Sequence, residues 1–263
     1  MKSLRTRGLL AIAITAFFGN TYAAELEEII VTAQKRAESL QDVPISMTAL
    51  SGEKIEEVGI NSFQELTAYV PNLSITENAV NTIIGMRGVG IGANQSFEQS
   101  VGIYVDGVHY GKSRQVRTGL FDLQQVEVLR GPQGILFGKN TLAGAINITS
   151  ATPQIGQETG GKIAVSKESY GGQVVEGHLT GSLTDSLAWR FAYKDREGDG
   201  HLKNTYPDTE VPMMPTTDEE MWRASVVWEP TDSTSVEFKH SESDYVRLGA
   251  NPLVTLFNPL PNI

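Results

Sequence analysis

The 263-residue chain contains no cysteine, and none of its apolar runs reaches the roughly 20 residues that a membrane-spanning helix needs. In an exported chain, that absence excludes a small disulfide-stapled scaffold, so stability must come from a packed core or a sheet. Basic residues are outnumbered, 21 Lys and Arg against 31 Asp and Glu for a formal charge of -10, a poor balance for gripping nucleic-acid phosphates. The four histidines, His109, His178, His201 and His240, are scattered. Without cysteine, and with no two histidines at helical ligand spacing, no protein-ligated metal centre is expected. Neither a nucleophile elbow nor a pair of hydrolytic carboxylates is recognisable, so the chain reads as a non-enzyme with no cofactor. Gly88-Val89-Gly90-Ile91-Gly92-Ala93 formally matches a dinucleotide fingerprint. The polar stretch that follows, Asn94 to Ser100, lacks the apolar stripe of the helix that such a site requires. Lys139 lacks the spacing of a phosphate-binding loop.

What is present begins with an export signal. Lys2, Arg5 and Arg7 precede an apolar stretch from Gly8 to Phe18, and Thr21-Tyr22-Ala23 suits cleavage, so residues 1–23 are assigned as signal peptide rather than as a membrane anchor. Its removal takes three basic residues and shifts the charge to about -13. An acidic lead, Glu25 to Glu28, then runs into Ile29-Ile30-Val31-Thr32. That β-favouring run is too short and isolated to pack a core. It is either a free strand offered to another protein's sheet edge or the first strand of the next domain.

Residues 40–152 read as a mixed α and β domain. Ser51 is a helix N-cap, with the helix running through Val58 to a stop at Gly59. Ser62 and Glu65 form a capping-box pattern for a second helix that ends before Pro71. Val101 to Val105 and Val108 to Tyr110 flank Asp106-Gly107, the strongest short hairpin signal because both turn residues need positive φ. Strands are expected at Thr82 to Ile84, Val126 to Leu129 and Gly144 to Ile148, with a tight turn at Arg130 to Gly134.

Past Pro153 the period becomes two. Leu187, Trp189, Phe191 and Tyr193 alternate with Ala188, Arg190, Ala192 and Lys194, and similar alternation runs through Ile163, Val175, Trp222 and Val236. Thr184-Asp185-Ser186 and Glu229 to Ser233 are short turns, whereas Gly198 to Glu220 is expected to be a long polar loop that includes Tyr206 and Asp208. Short and long connections in alternation suit an outer-membrane barrel, with Trp189, Tyr193, Trp222 and Trp228 at the lipid interfaces. A soluble sandwich shares the alternation but not the spacing of its connections.

Several stretches resemble the TonB-dependent outer-membrane receptors. Glu28-Ile29-Ile30-Val31-Thr32-Ala33 is similar to their TonB box, and the segments at Ile83 to Gly90, Val101 to Val108, Val126 to Gly134 and Gly144 to Ile148 resemble their ordered plug motifs. The resemblance implies an α+β plug domain followed by antiparallel transmembrane strands of a 22-stranded barrel. It divides the chain into a signal peptide (1–23), a TonB-box segment (24–39), a plug (40–152) and the start of the barrel (153–263). It implies an outer-membrane location with plug and N-terminus facing the periplasm, and contact between residues 28–33 and TonB of the inner-membrane energising complex. The transported ligand is an iron chelate such as a ferric siderophore, or another scarce nutrient. Arg87 and Arg130 match plug arginines that meet acidic residues of the barrel wall in a latch, or else cap turns, and Glu127 is a candidate internal partner for them. Five strands cannot close a barrel and would leave unmet main-chain groups in lipid. The chain therefore reads as a truncated record, split gene or pseudogene product. The competing function is a soluble periplasmic binding module.

Overall fold

The computed structural model describes residues 29–32, 35–77, 82–91, 98–205 and 213–249. The stretch read as a signal peptide, Glu28, Ala33, the glycine-rich stretch past Ile91, Tyr206 and Asp208 lie outside them.

The first strands are β1 (Ile30–Val31), β2 (Glu38–Ser39) and β3 (Met47–Ser51). Helix α1 (Gly52–Val58) starts where the sequence predicts, with Ser51 extended and its hydroxyl accepting the Lys54 N–H, and it stops at Gly59 with φ 71°. The second predicted helix is one 3-10 turn, Glu65–Ala68. Its capping box is made in part: the Glu65 carboxylate accepts the N–H groups of Asn61 and Ser62, and the few residues before Pro71 leave no room for a second turn.

Next come β4 (Leu73–Glu77), β5 (Thr82–Met86), β6 (Val89–Gly90), β7 (Val101–Val105) and β8 (Val108–His109). Asp106 and Gly107 have φ 48° and 81°, the turn that the pair predicts. Then follow β9 (Leu123–Arg130), the short helix α2 (Gly134–Phe137) and β10 (Gly144–Ser150). The plug sheet runs β3-β9-β10-β7-β8, with β10 and β7 parallel and the other pairs antiparallel. One face, with Val126, Val128, Ile146 and Ile148, packs on Ile55, Phe63, Leu66, Val70 and Ile84. The opposite face is covered too: Leu129 and Ala145 meet Tyr104 and Phe137, while Ala49 meets Val31 and Val43. Burial pushes the Tyr104 phenol upward, so it stays protonated and donates to the carbonyl of Phe137.

The wall is the meander β11 (Gly160–Lys167), β12 (Gln173–Thr184), β13 (Leu187–Gly198), β16 (Thr216–Thr231) and β17 (Thr234–Leu248), each antiparallel to the next. The pair β14 (Leu202–Lys203) and β15 (Met213–Met214) lies between β13 and β16. The connection read as Gly198 to Glu220 is therefore shorter, since β16 already starts at Thr216. The opening residues of β16 are polar, and one of them lines the inside: Glu219 is 1% exposed and accepts the Gly119 N–H, whereas Asp218 and Glu220 are exposed. Parity divides the wall. Ala188, Ala192 and Lys194 are buried against the plug, while Ile163, Val165, Leu179, Phe191, Trp228 and Phe238 are exposed on the other side. Five strands form an open sheet.

Candidate functional site

The plug is seated on the wall by ions and by one aromatic ring. Asp122, at φ 49° ahead of β9, adopts the left-handed conformation that Asp tolerates better than most residues. Its carboxylate accepts from Arg190 Nε at 2.9 Å and Nη2 at 2.5 Å, and lies 3.5 Å from Arg223 Nη1. Arg223 also donates to the Asp122 carbonyl at 2.9 Å, and its guanidinium lies 5.0 Å from the Phe121 ring centre. Phe121 itself packs on Ala192 and Met221. Beside this hub the buried Lys194 donates to Asn61 Oδ1 at 2.7 Å and to the Leu120 carbonyl at 3.0 Å. Arg247 pairs with Glu77, and Lys239 lies 3.5 Å from Asp106. A cavity of ≈ 330 Å³ separates α1 from β11 to β13, with Glu56, Glu176 and Lys194 among its lining residues.

These pairs run opposite to the polarity that the resemblance implies: the cations are on the wall and the acids on the plug. Arg130 stays inside the plug, donating to Ser46 Oγ at 3.1 Å and to the Met47 carbonyl at 3.0 Å. Arg87 occupies a turn at φ 52°, its Nη1 3.5 Å from where a Cβ on Gly131 would lie, so the two arginine turns are neighbours. Among the described residues neither guanidinium meets a carboxylate. Glu127 is not their partner either. It lies three positions from Arg130 on an extended strand, hence on the opposite face.

Glu127 instead holds the N-terminal segment. It is 1% exposed, and its Oε2 accepts from Asn147 Nδ2 at 2.9 Å, directly across the ladder. Its Oε1 accepts from Gln125 Nε2 at 2.7 Å, from Thr32 N–H at 2.5 Å and from Thr32 Oγ1 at 3.3 Å. The run Ile29 to Thr32 is consequently not a free strand: β1 pairs with β2, and Val31 is 1% exposed while Ile30 is 47% exposed. Of the two readings open in the sequence, the first strand of the next domain holds: four residues that cannot pack a core of their own complete one. Val43, Ala49, Leu40 and Ile45 supply the rest of the cluster.

The Asp122 hub escaped sequence reasoning, although a signal was present. Arg190, Lys194 and Arg223 stand among small or apolar residues such as Ala188, Ala192, Met221 and Val227 on the face opposite the aromatic one, and a charge there needs a buried partner. The sequence does not say which acid reaches it.

Residues 39–145 match the family model described as the TonB-dependent receptor plug domain. The chain is 34% identical over 192 residues to the pesticin receptor of Yersinia pestis, an alignment covering 67% of this chain and 27% of the relative. It is 26% identical over 202 residues, 69% of this chain and 29% of the other, to the iron-regulated outer membrane virulence protein of Vibrio cholerae. Among solved structures, the ferric yersiniabactin uptake receptor of Yersinia pestis superposes with a TM-score of 0.68 at 28% identity, over 76% of this chain and 31% of that one. The pyoverdine outer membrane receptor of Pseudomonas aeruginosa gives the same score at 15% identity, over 82% and 30%, a likeness of fold alone. The chain thus spans about a quarter of the length of the curated relatives it matches. With a docked N-terminal strand and a mixed-sheet plug seated on an antiparallel wall, the chain belongs to the TonB-dependent receptor family.

Proposed function

We propose that this chain is the N-terminal part of an outer-membrane receptor that imports an iron chelate, a ferric siderophore, using energy delivered by TonB and its inner-membrane complex. Residues 1–23 serve as its signal peptide, 24–39 as the coupling segment with TonB contacts at residues 28–33, 40–152 as the plug and 153–263 as the first part of the barrel. The plug and N-terminus face the periplasm. The observation that carries the reading is the seating of the plug on a wall whose far side is apolar. Exposed Ile163, Val165, Leu179, Phe191 and Phe238 make a face suited to lipid rather than water, and a soluble periplasmic module has no use for it. The iron chelate rests on the relatives, two of which are named for iron regulation or ferric uptake.

The chain also offers a path for force. The coupling strand leads through residues 40–46 into β3, β3 is zipped to β9 along Met47 to Ser51, and β9 begins one residue after Asp122. A pull on the N-terminus thus arrives at the residue that anchors the plug to the wall. The test is Ile30→Pro in the full-length receptor. Proline removes the N–H that an added partner strand needs, so chelate binding is expected to persist while energised uptake disappears. Full uptake by that variant would reject the coupling role.

A further inference from the structure

Strand β1 has one edge in use and one edge that a partner strand would need. The Leu40 N–H donates to the Ile29 carbonyl at 2.9 Å, with Ile30 opposite Ser39 and Val31 opposite Glu38. Ile29 and Val31 therefore turn their main-chain groups toward β2, and Ile30 and Thr32 turn theirs away. On that outer edge Thr32 is already occupied twice. Its carbonyl accepts the Lys35 N–H at 2.8 Å, and its N–H donates to Glu127 Oε1 at 2.5 Å. The carboxylate oxygen thus stands where the carbonyl of an incoming strand would dock.

We propose that Glu127 is a positioning residue that closes the outer edge of residues 29–32, so that a partner's strand adds there only after this carboxylate releases Thr32. The inference rests on the TonB reading and names what competes with it. A hydrogen bond to an ionised acceptor is roughly twice as strong as one to a neutral carbonyl, so a partner's main chain is at a disadvantage while Glu127 stays in place. Asn147 and Gln125 fix its aim. Glu127 lies between Ala49 on β3 and Asn147 on β10 in the sheet, so a slip of either strand past β9 would withdraw the carboxylate and open the edge.

The test uses the full-length receptor, with any cysteine beyond residue 263 replaced, carrying Val31→Cys, a position 1% exposed while the segment is docked. The rate of maleimide labelling then reports undocking, and Ala145→Cys, fully buried in the plug sheet, reports opening of the plug itself. Glu127→Ala is expected to accelerate labelling at residue 31 by about tenfold or more, corresponding to about 1.4 kcal/mol, with residue 145 still protected. Glu127→Gln, which keeps an acceptor without the charge, is expected to give a smaller acceleration. Capture of purified TonB periplasmic domain without chelate should rise in the same order.

If Glu127→Ala also exposes residue 145, Thr32→Pro decides, because it deletes the donor and leaves the plug intact; fast labelling supports the clamp and protection overturns it. Labelling within about twofold of the parent in Glu127→Ala also overturns it. The two readings fail separately. Faster labelling with no gain in TonB capture keeps the clamp and sinks TonB as the partner, whereas unchanged labelling beside loss of uptake in Ile30→Pro sinks the clamp alone.

Discussion

Asp122 shows how much one buried charge can hold. Two guanidinia from different wall strands converge on it, and all three side chains are nearly buried. Removing the acid leaves both cations without their partner, and breaking one side of a buried pair costs on the order of 3–5 kcal/mol. Asp122→Ala in the full-length receptor is accordingly expected to lower the denaturant midpoint for plug release. Lys54→Ala, which breaks only the exposed 2.7 Å pair with Glu57, should leave it unchanged. An equal response from both variants would remove Asp122 from its place as anchor. The sequence marks the cations of this hub but not their partner, because a contact between residues 68 or 101 positions apart leaves no local periodicity. Glu127 was singled out from its motif, yet its true partner, 95 positions upstream, was equally out of reach.

At the scale of elements, local chemistry was readable wherever it decided the structure. The cap at Ser51, the stop at Gly59 and the turn at Asp106-Gly107 all depend on one or two residues and their φ preferences. Close approach between elements is a different matter. A Cβ on Gly52 would lie 1.8 Å from the Leu123 carbonyl oxygen, so the first residue of α1 is glycine because β9 passes against it. Ser51→Ala should cost about 1 kcal/mol through the lost cap. Gly52→Ala must push α1 off β9 and is expected to cost about 1–3 kcal/mol, more than the cap, in equilibrium unfolding. If alanine is tolerated there better than the cap deletion, the packing described for α1 and β9 is wrong. The long loop shortened for a related reason. Polar residues such as Glu219 belong to a strand once a buried surface supplies their partners.

For the whole molecule, the wall divides into an inside that grips the plug and an outside that is apolar. Leu179, half exposed near the middle of β12, is expected to face lipid at mid-depth. Leu179→Lys should then cost about 2–4 kcal/mol when the full-length receptor is refolded into lipid vesicles. A neutral result would mean that this face does not contact hydrocarbon. The inner side shows the complementary logic, with Arg190, Lys194, Arg223 and Arg247 directed at plug acids and carbonyls. The plug meets the wall through these pairs and through Phe121, not through a continuous apolar core.

The sequence alone determined the order of the parts. A change of period near Pro153 separates plug from wall, the turn residues place the hairpins, and the ordered motifs name the family, because each depends on neighbours along the chain. Only the tertiary structure decided the partnerships: that wall cations hold plug acids, that Glu127 faces Thr32 instead of an arginine, and that Val31 is buried. The physical reason is that a charge or an apolar side chain in the sequence states a need for a partner, and only the folded chain, by bringing distant strands together, selects which residue meets it.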